Sequence, residues 1–213
     1  MGCSHVLLKL LCCMSLLAYG TSASENSRQL SRRQARHGAA PAGPFTACRT
    51  TPYPQLCSHI LHSLSAPPAA PLSRQIATVS SFALSLTSSS YQLARHLASI
   101  PQARSASRSY KGALQDCIDL MSNTMDQLQL SISRLSDLNS AHSSPYVLRS
   151  RIMDAQVSLS ASFTYQDTCS DELHQRNVPP SAAAQLLKQV GDTSRAVTVA
   201  LAMADTLHHR ISP

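Results

Sequence analysis

From Pro71 to the end of the chain, apolar side chains recur at alternating steps of three and four residues. This spacing places them on one face of an α-helix, and it predicts four long helices. Their approximate ranges are 72–100, 107–138, 146–174 and a last helix that begins with Ser181 as its N-cap. The clearest stripe, in the second helix, consists of Leu114, Ile118, Met121, Met125, Leu128, Ile132 and Leu135. The third stripe is less regular and runs through Ile152, Leu159 and Phe163.

Breaks that contain proline separate the predicted helices at Pro101, at Asn139 to Pro145 and at Asn177 to Pro180. Short connections between helices of similar length make sequential helices antiparallel neighbours. We therefore predict an all-α fold, an up-down-up-down four-helix bundle within residues 45–211. A short helical piece from Cys48 to Leu64 is expected to precede the bundle.

The composition supports packed helices rather than a β-sandwich or barrel. Of the 213 residues, 43% are hydrophobic, but only 4% are aromatic and none is Trp. The core must therefore be built from aliphatic side chains, whereas sheets draw on β-branched and aromatic residues. The 6 glycines also leave little material for tight turns or for a loop that binds phosphate.

The first 44 residues differ in character from the rest. Lys9 precedes an apolar run from Leu10 to Ala18 that small residues follow, which predicts a secretory signal peptide over residues 1–23. Residues 24–44 are rich in arginine and poor in apolar side chains, which predicts a disordered basic arm. We expect a secreted protein that is not attached to a membrane after cleavage. For the arm, an acidic polysaccharide such as pectin is a better candidate partner than nucleic acid, and a solvated arm that binds nothing is the alternative.

Four cysteines follow the predicted cleavage site, namely Cys48, Cys57, Cys117 and Cys169. An even number in an oxidising compartment predicts two disulfides. Cys117 precedes Asn139 by 22 residues and Cys169 follows Tyr146 by 23. At about 1.5 Å per residue, the two cysteines come level across an antiparallel hairpin. This favours a Cys117–Cys169 bond and leaves the first two cysteines to close a local loop.

The sequence contains no recognisable catalytic constellation. It lacks the motifs of serine hydrolases, zinc proteases, P-loop proteins and dinucleotide-binding sites. With its cysteines oxidised, it offers no thiol nucleophile or cysteine zinc site. Asp116 with Asp119, and His208 with His209, are interpreted as solvated helix residues. We predict a protein that is not an enzyme, needs no cofactor or metal, and works by binding.

Four stretches resemble the plant invertase and pectin methylesterase inhibitor family. CRTTPYPQLC (48–57) is similar to the family's first cysteine pair, and ALQDCID (113–119) is similar to its Ala-Leu-x-Asp-Cys element. SLSASFTYQDTC (158–169) is similar to its Ser-Ala-Ala-x-Thr…Thr-Cys element, and TVALAMA (198–204) in the last helix is the fourth. The resemblance covers about residues 45–211.

This resemblance implies a four-helix bundle preceded by a short helical hairpin, with disulfides that join the first to the second and the third to the fourth cysteine. It also implies an inhibitor that covers the substrate cleft of an enzyme in a 1:1 complex. The family's invertase inhibitors carry a Pro-Lys-Phe element after the third bundle helix, where this chain has HQRNVPPS (174–181). The difference favours pectin methylesterase as the target and leaves acid invertase as the alternative.

By the same resemblance, the polar outer faces of the second and third bundle helices are expected to contact the enzyme. The candidate residues are Asp119, Asn123 and Asp126 on one helix and Arg151, Asp154 and Thr164 on the other. The competing interpretation is that they are ordinary solvated side chains. Two other protein classes are alternatives: a pectin-binding wall protein of this fold without inhibitory activity, and a lipid carrier, which would need eight cysteines.

Overall fold

Five α-helices carry the fold in the computed structural model, which describes residues 45–100, 107–139, 144–175 and 180–211. The helices are α1 (Pro54–Ser63), α2 (Leu72–Ser99), α3 (Arg108–Ser136), α4 (Pro145–Gln175) and α5 (Pro180–Ile211). Two short 3-10 helices cover Thr46–Thr50 and Asp137–Asn139, and the described ranges contain no strand. The predicted signal peptide and basic arm lie outside the described residues.

The four long helices form the predicted bundle, because each packs along its neighbours in sequence and α5 closes the ring against α2. They contain 28, 29, 31 and 32 residues, so their lengths match to within about one turn. Matched lengths let antiparallel neighbours bury their apolar stripes along the whole axis. The all-α, up-down-up-down fold class predicted from the sequence is confirmed.

The local sequence explains where the helices begin. The Oγ of Ser107 accepts a hydrogen bond from the backbone N–H of Tyr110 at 3.2 Å, which caps the start of α3. α1 begins at Pro54, where a residue without an N–H leaves no donor unsatisfied. α5 also begins at a proline, Pro180. The prediction of Ser181 as its N-cap is therefore wrong by one or two positions, and Ser181 lies within the first turn.

The N-terminal segment is a short helical hairpin attached to α5. The Cys48–Cys57 disulfide joins the first 3-10 helix to α1, with 5.5 Å between the two Cα atoms. The sulfur of Cys57 lies 3.7 Å from that of Met203. The hydroxyl oxygens of Thr50 and Thr206 are 3.2 Å apart. Both contacts link the hairpin to the last helix, and the predicted first disulfide is confirmed.

The second predicted disulfide, Cys117–Cys169, is also confirmed and joins α3 to α4 with a Cα–Cα distance of 4.8 Å. Both cysteines are fully buried. They lie far from the connection between the two helices, which follows Asn139 and ends before Pro145. The α3–α4 hairpin is therefore fastened covalently near its open end and by the chain itself at the other.

A buried polar layer divides the core of the bundle into two apolar clusters. One cluster includes Ile76, Leu128 and Leu159, and the other includes Leu114 and Met121. The layer between them contains Thr87, Ser90, Thr124, Ser162, Gln166 and Thr193, all fully buried. Each hydroxyl in the layer donates to the carbonyl four residues earlier in its own helix. The hydroxyl groups of the layer therefore all have hydrogen-bond partners.

The interior face of α4 differs in part from the predicted stripe. Ile152 and Leu159 are buried as predicted, but Phe163 is 38% exposed. Ser162 and Gln166 occupy the interior positions at that level. Large apolar residues alone do not identify the buried face of α4, because small and polar side chains fill part of it. In the cluster that includes Leu114 and Met121, burial raises the pKa of the Tyr110 hydroxyl.

We expect the Cys117–Cys169 bond to contribute more to stability than the Cys48–Cys57 bond. The first bond spans 52 residues and the second spans 9. The chain-entropy model therefore assigns them about 4 and about 3 kcal/mol, respectively. The two paired Cys→Ala variants, unfolded in urea beside the oxidised parent, measure these losses. An unchanged midpoint for the Cys117→Ala/Cys169→Ala variant would contradict the role given to this bond.

Candidate functional site

The outer side of α4 carries an exposed apolar row. Tyr146, Met153 and Val157 are spaced seven and four residues apart and therefore share one helix face. Their exposed fractions are 81%, 50% and 69%. Thr164, seven residues further on, continues the row and is also exposed. Full burial of an apolar side chain of this size stabilises by about 1.5–3 kcal/mol, so this row is suited to contact with a partner.

The outer side of α3 carries a second row, which is mostly polar. Asp119, Asn123, Asp126 and Leu130 follow at steps of four, three and four residues, and all four are exposed. The Asp119 Oδ1 accepts a hydrogen bond from Gln115 Nε2 at 3.0 Å. Leu130 is 46% exposed and is the apolar member of this row. The row lies opposite the buried stripe of α3, so it is on the outside of the bundle.

The Cys117–Cys169 bond sets the register of the two rows. Leu130 lies 13 residues after Cys117, and Val157 lies 12 residues before Cys169. Because the helices are antiparallel, Leu130 and Val157 come to nearly the same level, about 20 Å from the disulfide. The acidic residues are at the disulfide end, and the apolar residues are towards the connection. We call the eight side chains of the two rows the α3–α4 face.

The dimensions of the α3–α4 face match those of a protein-binding surface. From the level of Asp119 to that of Tyr146 the rows extend about 30 Å, because each residue advances the helix by about 1.5 Å. Two adjacent helices present a width of about 20 Å. A partner of standard size covers about 800 Å² on each side, which is of the same order as this area.

Four of the six predicted contact residues lie in the two rows: Asp119, Asn123, Asp126 and Thr164. The Thr164 hydroxyl donates to the carbonyl of Ser160 at 3.1 Å. Asp154 is exposed and lies next to Met153 along α4. Arg151 is half-buried, and its Nη1 donates to the backbone carbonyl of Asp137 at 2.7 Å. Arg151 thereby satisfies a carbonyl at the C-terminal end of α3, beside the connection.

The sequence analysis missed the apolar members of the face, namely Leu130, Tyr146, Met153 and Val157. A signal for them was present, because α4 is much less amphipathic than the other long helices. In a helix whose buried side is filled partly by serine and glutamine, some large apolar residues must lie on the outside. Such displaced apolar residues indicate a binding surface.

A groove lies between the Cys48–Cys57 loop, α2 and α5. It has a volume of about 440 Å³ and is lined in part by Tyr53, Phe82, Asp192 and Arg195. Asp192 is paired with Arg195 and also with Lys188, whose Nζ lies 2.9 Å from its Oδ2. The charges of this groove are thus paired within the protein. Tyr53 of the Thr-Pro-Tyr-Pro sequence forms part of the wall of this groove.

Neither a metal centre nor a membrane span is found in the part of the chain that the structure describes. No three His, Cys, Asp or Glu side chains there are grouped so that they would hold an ion. No helix among these residues is both long and apolar enough to cross a bilayer. The α3–α4 face, with its exposed apolar row, is the strongest candidate for function.

Comparison with curated proteins gives two relatives from Arabidopsis thaliana. The chain is 33% identical over 128 residues to "Probable pectinesterase/pectinesterase inhibitor 6", covering 59% of this chain and 21% of that protein. It is 29% identical over 136 residues to "Pectinesterase inhibitor 3", covering 64% of this chain and 65% of that protein. The match thus spans about a fifth of the first relative and just under two thirds of the second.

Two solved structures share the fold. A crystal structure of a mutant form of a pectin methylesterase inhibitor from Arabidopsis matches with a TM-score of 0.56 at 18% identity, covering 75% of this chain and 93% of that one. A second crystal structure, of a pectin methylesterase inhibitor from Arabidopsis thaliana, matches with a TM-score of 0.51 at 18% identity, covering 76% and 93%. At this identity the two matches establish the fold alone.

The family model for "Plant invertase/pectin methylesterase inhibitor" matches residues 45–203, a range that begins just before the first disulfide and reaches into α5. It includes both confirmed disulfides and the whole α3–α4 face. The resemblance inferred from four short motifs is confirmed, and the chain belongs to the plant invertase/pectin methylesterase inhibitor family.

Proposed function

We propose that this protein inhibits a pectin methylesterase by placing the α3–α4 face over the enzyme's substrate cleft in a 1:1 complex. Membership of an inhibitor family makes the chain a non-catalytic protein of the pectin methylesterase or invertase inhibitor type. We choose this surface because α4 exposes a row of apolar side chains, Tyr146, Met153 and Val157. The names of both relatives support pectin methylesterase as the target.

Inhibition of this kind requires a rigid surface rather than reactive groups. The exposed apolar side chains lose contact with water when the enzyme covers them, which supplies the favourable free energy. The disulfide near one end of the hairpin and the Arg151–Asp137 hydrogen bond near the other hold the two rows in place. Little conformational freedom is then lost on binding, so more of the contact energy appears as affinity.

Acid invertase is the alternative target. The sequence HQRNVPPS between α4 and α5 disfavours it, because this sequence lacks a Lys-Phe pair. Most of that connection, residues 176–179, lies outside the described residues. The preference for pectin methylesterase is therefore supported by this sequence and by the relatives' names.

Secretion and pectin binding extend the proposal to the N-terminal residues. We propose that residues 1–23 direct export and that the mature protein acts in the plant cell wall. Residues 28–44 contain Arg28, Arg32, Arg33 and Arg36 and no acidic residue. Such a segment attracts a polyanion at moderate salt concentration. Pectin with free carboxylates is the polyanion in question.

Titration of a plant pectin methylesterase with the oxidised protein tests the proposed activity. We expect methylesterase activity to fall to a low residual level near one equivalent, because one inhibitor molecule covers one cleft. An acid invertase assayed in parallel is expected to retain its activity. Loss of invertase activity alone would reverse the choice of target, and a folded protein that stops neither enzyme would refute the proposal.

The Val157→Arg variant tests the proposed surface. A charged side chain at the centre of the apolar row cannot be buried without cost, so we expect the inhibition constant to rise about 30-fold or more, the effect of losing an interface hot spot. Ser89→Arg is the matched control, because Ser89 is exposed on α2. Equal inhibition by both variants and the parent, with unchanged thermal melting, would place the interface elsewhere.

The basic arm is tested by retention on immobilised pectate. We expect the parent to elute at a higher salt concentration than a variant in which the four arginines between residues 28 and 36 are replaced by glutamine, since these residues carry the positive charge of the arm. Inhibition of pectin methylesterase in solution is expected to be the same for both proteins. Coincident elution would exclude the arm as a pectin-binding element.

A further inference from the structure

The acidic residues of this basic protein are concentrated on the α3–α4 hairpin. The whole chain has a net charge of +7, with 18 Lys and Arg against 11 Asp and Glu. Most of the acidic residues lie on α3, on α4 or on the short helix after α3: Asp116, Asp119, Asp126, Asp137, Asp154, Asp167, Asp171 and Glu172. In contrast, α2 contains no acidic residue. The hairpin thus has the opposite charge to the rest of the molecule.

Basic residues are absent from the middle of both hairpin helices. No Lys, Arg or His occurs in residues 112–133 of α3 or in residues 152–173 of α4. The exposed acidic side chains in these two ranges are Asp119, Asp126, Asp154, Asp167 and Asp171. The Lys, Arg and His residues within α3 and α4 are confined to the helix ends, at residues 108, 111, 134, 149, 151 and 174. Acidic side chains therefore predominate along the disulfide half of the α3–α4 face.

Apolar and acidic residues are neighbours along each helix of the hairpin. Val157 is 69% exposed and lies three residues after Asp154 on the same helix. Leu130 follows Asp126 by four residues, one turn of α3, and lies in the same row. The apolar part of the face thus borders acidic residues on its disulfide side, and charges of one sign beside an apolar patch favour a partner of the opposite charge.

We infer that the α3–α4 face takes a partner whose docking surface is basic beside an apolar patch, and that this protein therefore selects pectin methylesterase isoforms with a positively charged cleft rim. The inference rests on the proposed function and adds the chemistry of the target surface. The partner charge inferred here is opposite to the one that the net charge suggests, because a protein with a net charge of +7 would by itself attract an acidic enzyme. Charges close to the contact govern association, because salt screens more distant ones.

The test measures association rates and inhibition for one basic and one acidic plant pectin methylesterase isoform. At about 50 mM NaCl we expect association with the basic isoform to be about 10-fold faster or more, and this advantage to be lost by about 500 mM, where the Debye length is much shorter. Equal rates for the two isoforms, or faster association with the acidic one, would overturn the inference while inhibition itself persisted.

A matched pair of charge reversals separates the local effect from net charge. Asp126→Lys and Asp205→Lys change the net charge equally, but Asp126 lies in the α3–α4 face and Asp205 is exposed on α5, near His209. We expect Asp126→Lys to slow association with the basic isoform about 5- to 10-fold at low salt and Asp205→Lys to have little effect. Equal slowing by both variants would show that net charge, not this face, governs association.

The inhibition assay in the same experiment keeps the two proposals apart. If the parent inhibits both isoforms to the same extent with the same rates, the proposed function stands and the inference about a basic partner fails. If the folded parent inhibits neither isoform, the proposed function fails, and the inference that rests on it fails as well. Melting curves of the parent and both variants identify any loss that is due to unfolding.

Discussion

The register between α3 and α4 is the constraint on which the rest of the molecule depends. The buried Cys117–Cys169 bond fixes it covalently, with 4.8 Å between the Cα atoms. If one helix slid by one turn, about 5.4 Å, the two exposed rows would no longer match, and Leu130 would move away from the level of Val157. The same bond aligns the buried stripes. One covalent link therefore fixes both the packing of α3 against α4 in the core and the register of the α3–α4 face.

The buried polar layer of the core also bears on the register of the long helices. In each long helix the polar layer lies between residues of the two apolar clusters: Thr87 between Ala83 and Ala94, and Thr193 between Val190 and Ala196. A buried polar residue in a bundle disfavours shifted packings, in which it would meet apolar neighbours. Gln166 is the least satisfied member, because its Oε1 has no hydrogen-bond partner among the residues that the structure describes. The layer adds to the register set by the disulfide.

Much of the fold was predictable because its determinants are local. Helical periodicity, proline breaks and cysteine spacing gave the bundle, the helix limits and both disulfides. The polar candidates Asp119, Asn123 and Asp126 were accessible from periodicity and the family resemblance. For Tyr146, Met153 and Val157, the weak amphipathicity of α4 indicated that some apolar residues lie outside but not which ones, because the side of α4 that is buried depends on its neighbours in the bundle. With Ser162 and Gln166 inside, apolar residues were left outside, and only the packed structure distinguishes these positions.

Hydrogen exchange of the protein alone and bound to pectin methylesterase tests whether the target enzyme covers the α3–α4 face. We expect added protection to be concentrated in residues 115–130 and 146–164, on the exposed sides of α3 and α4. Peptides from α2 and α5 are expected to exchange as in the free protein. Added protection confined to α2, α5 or the N-terminal hairpin would contradict this assignment of the binding surface.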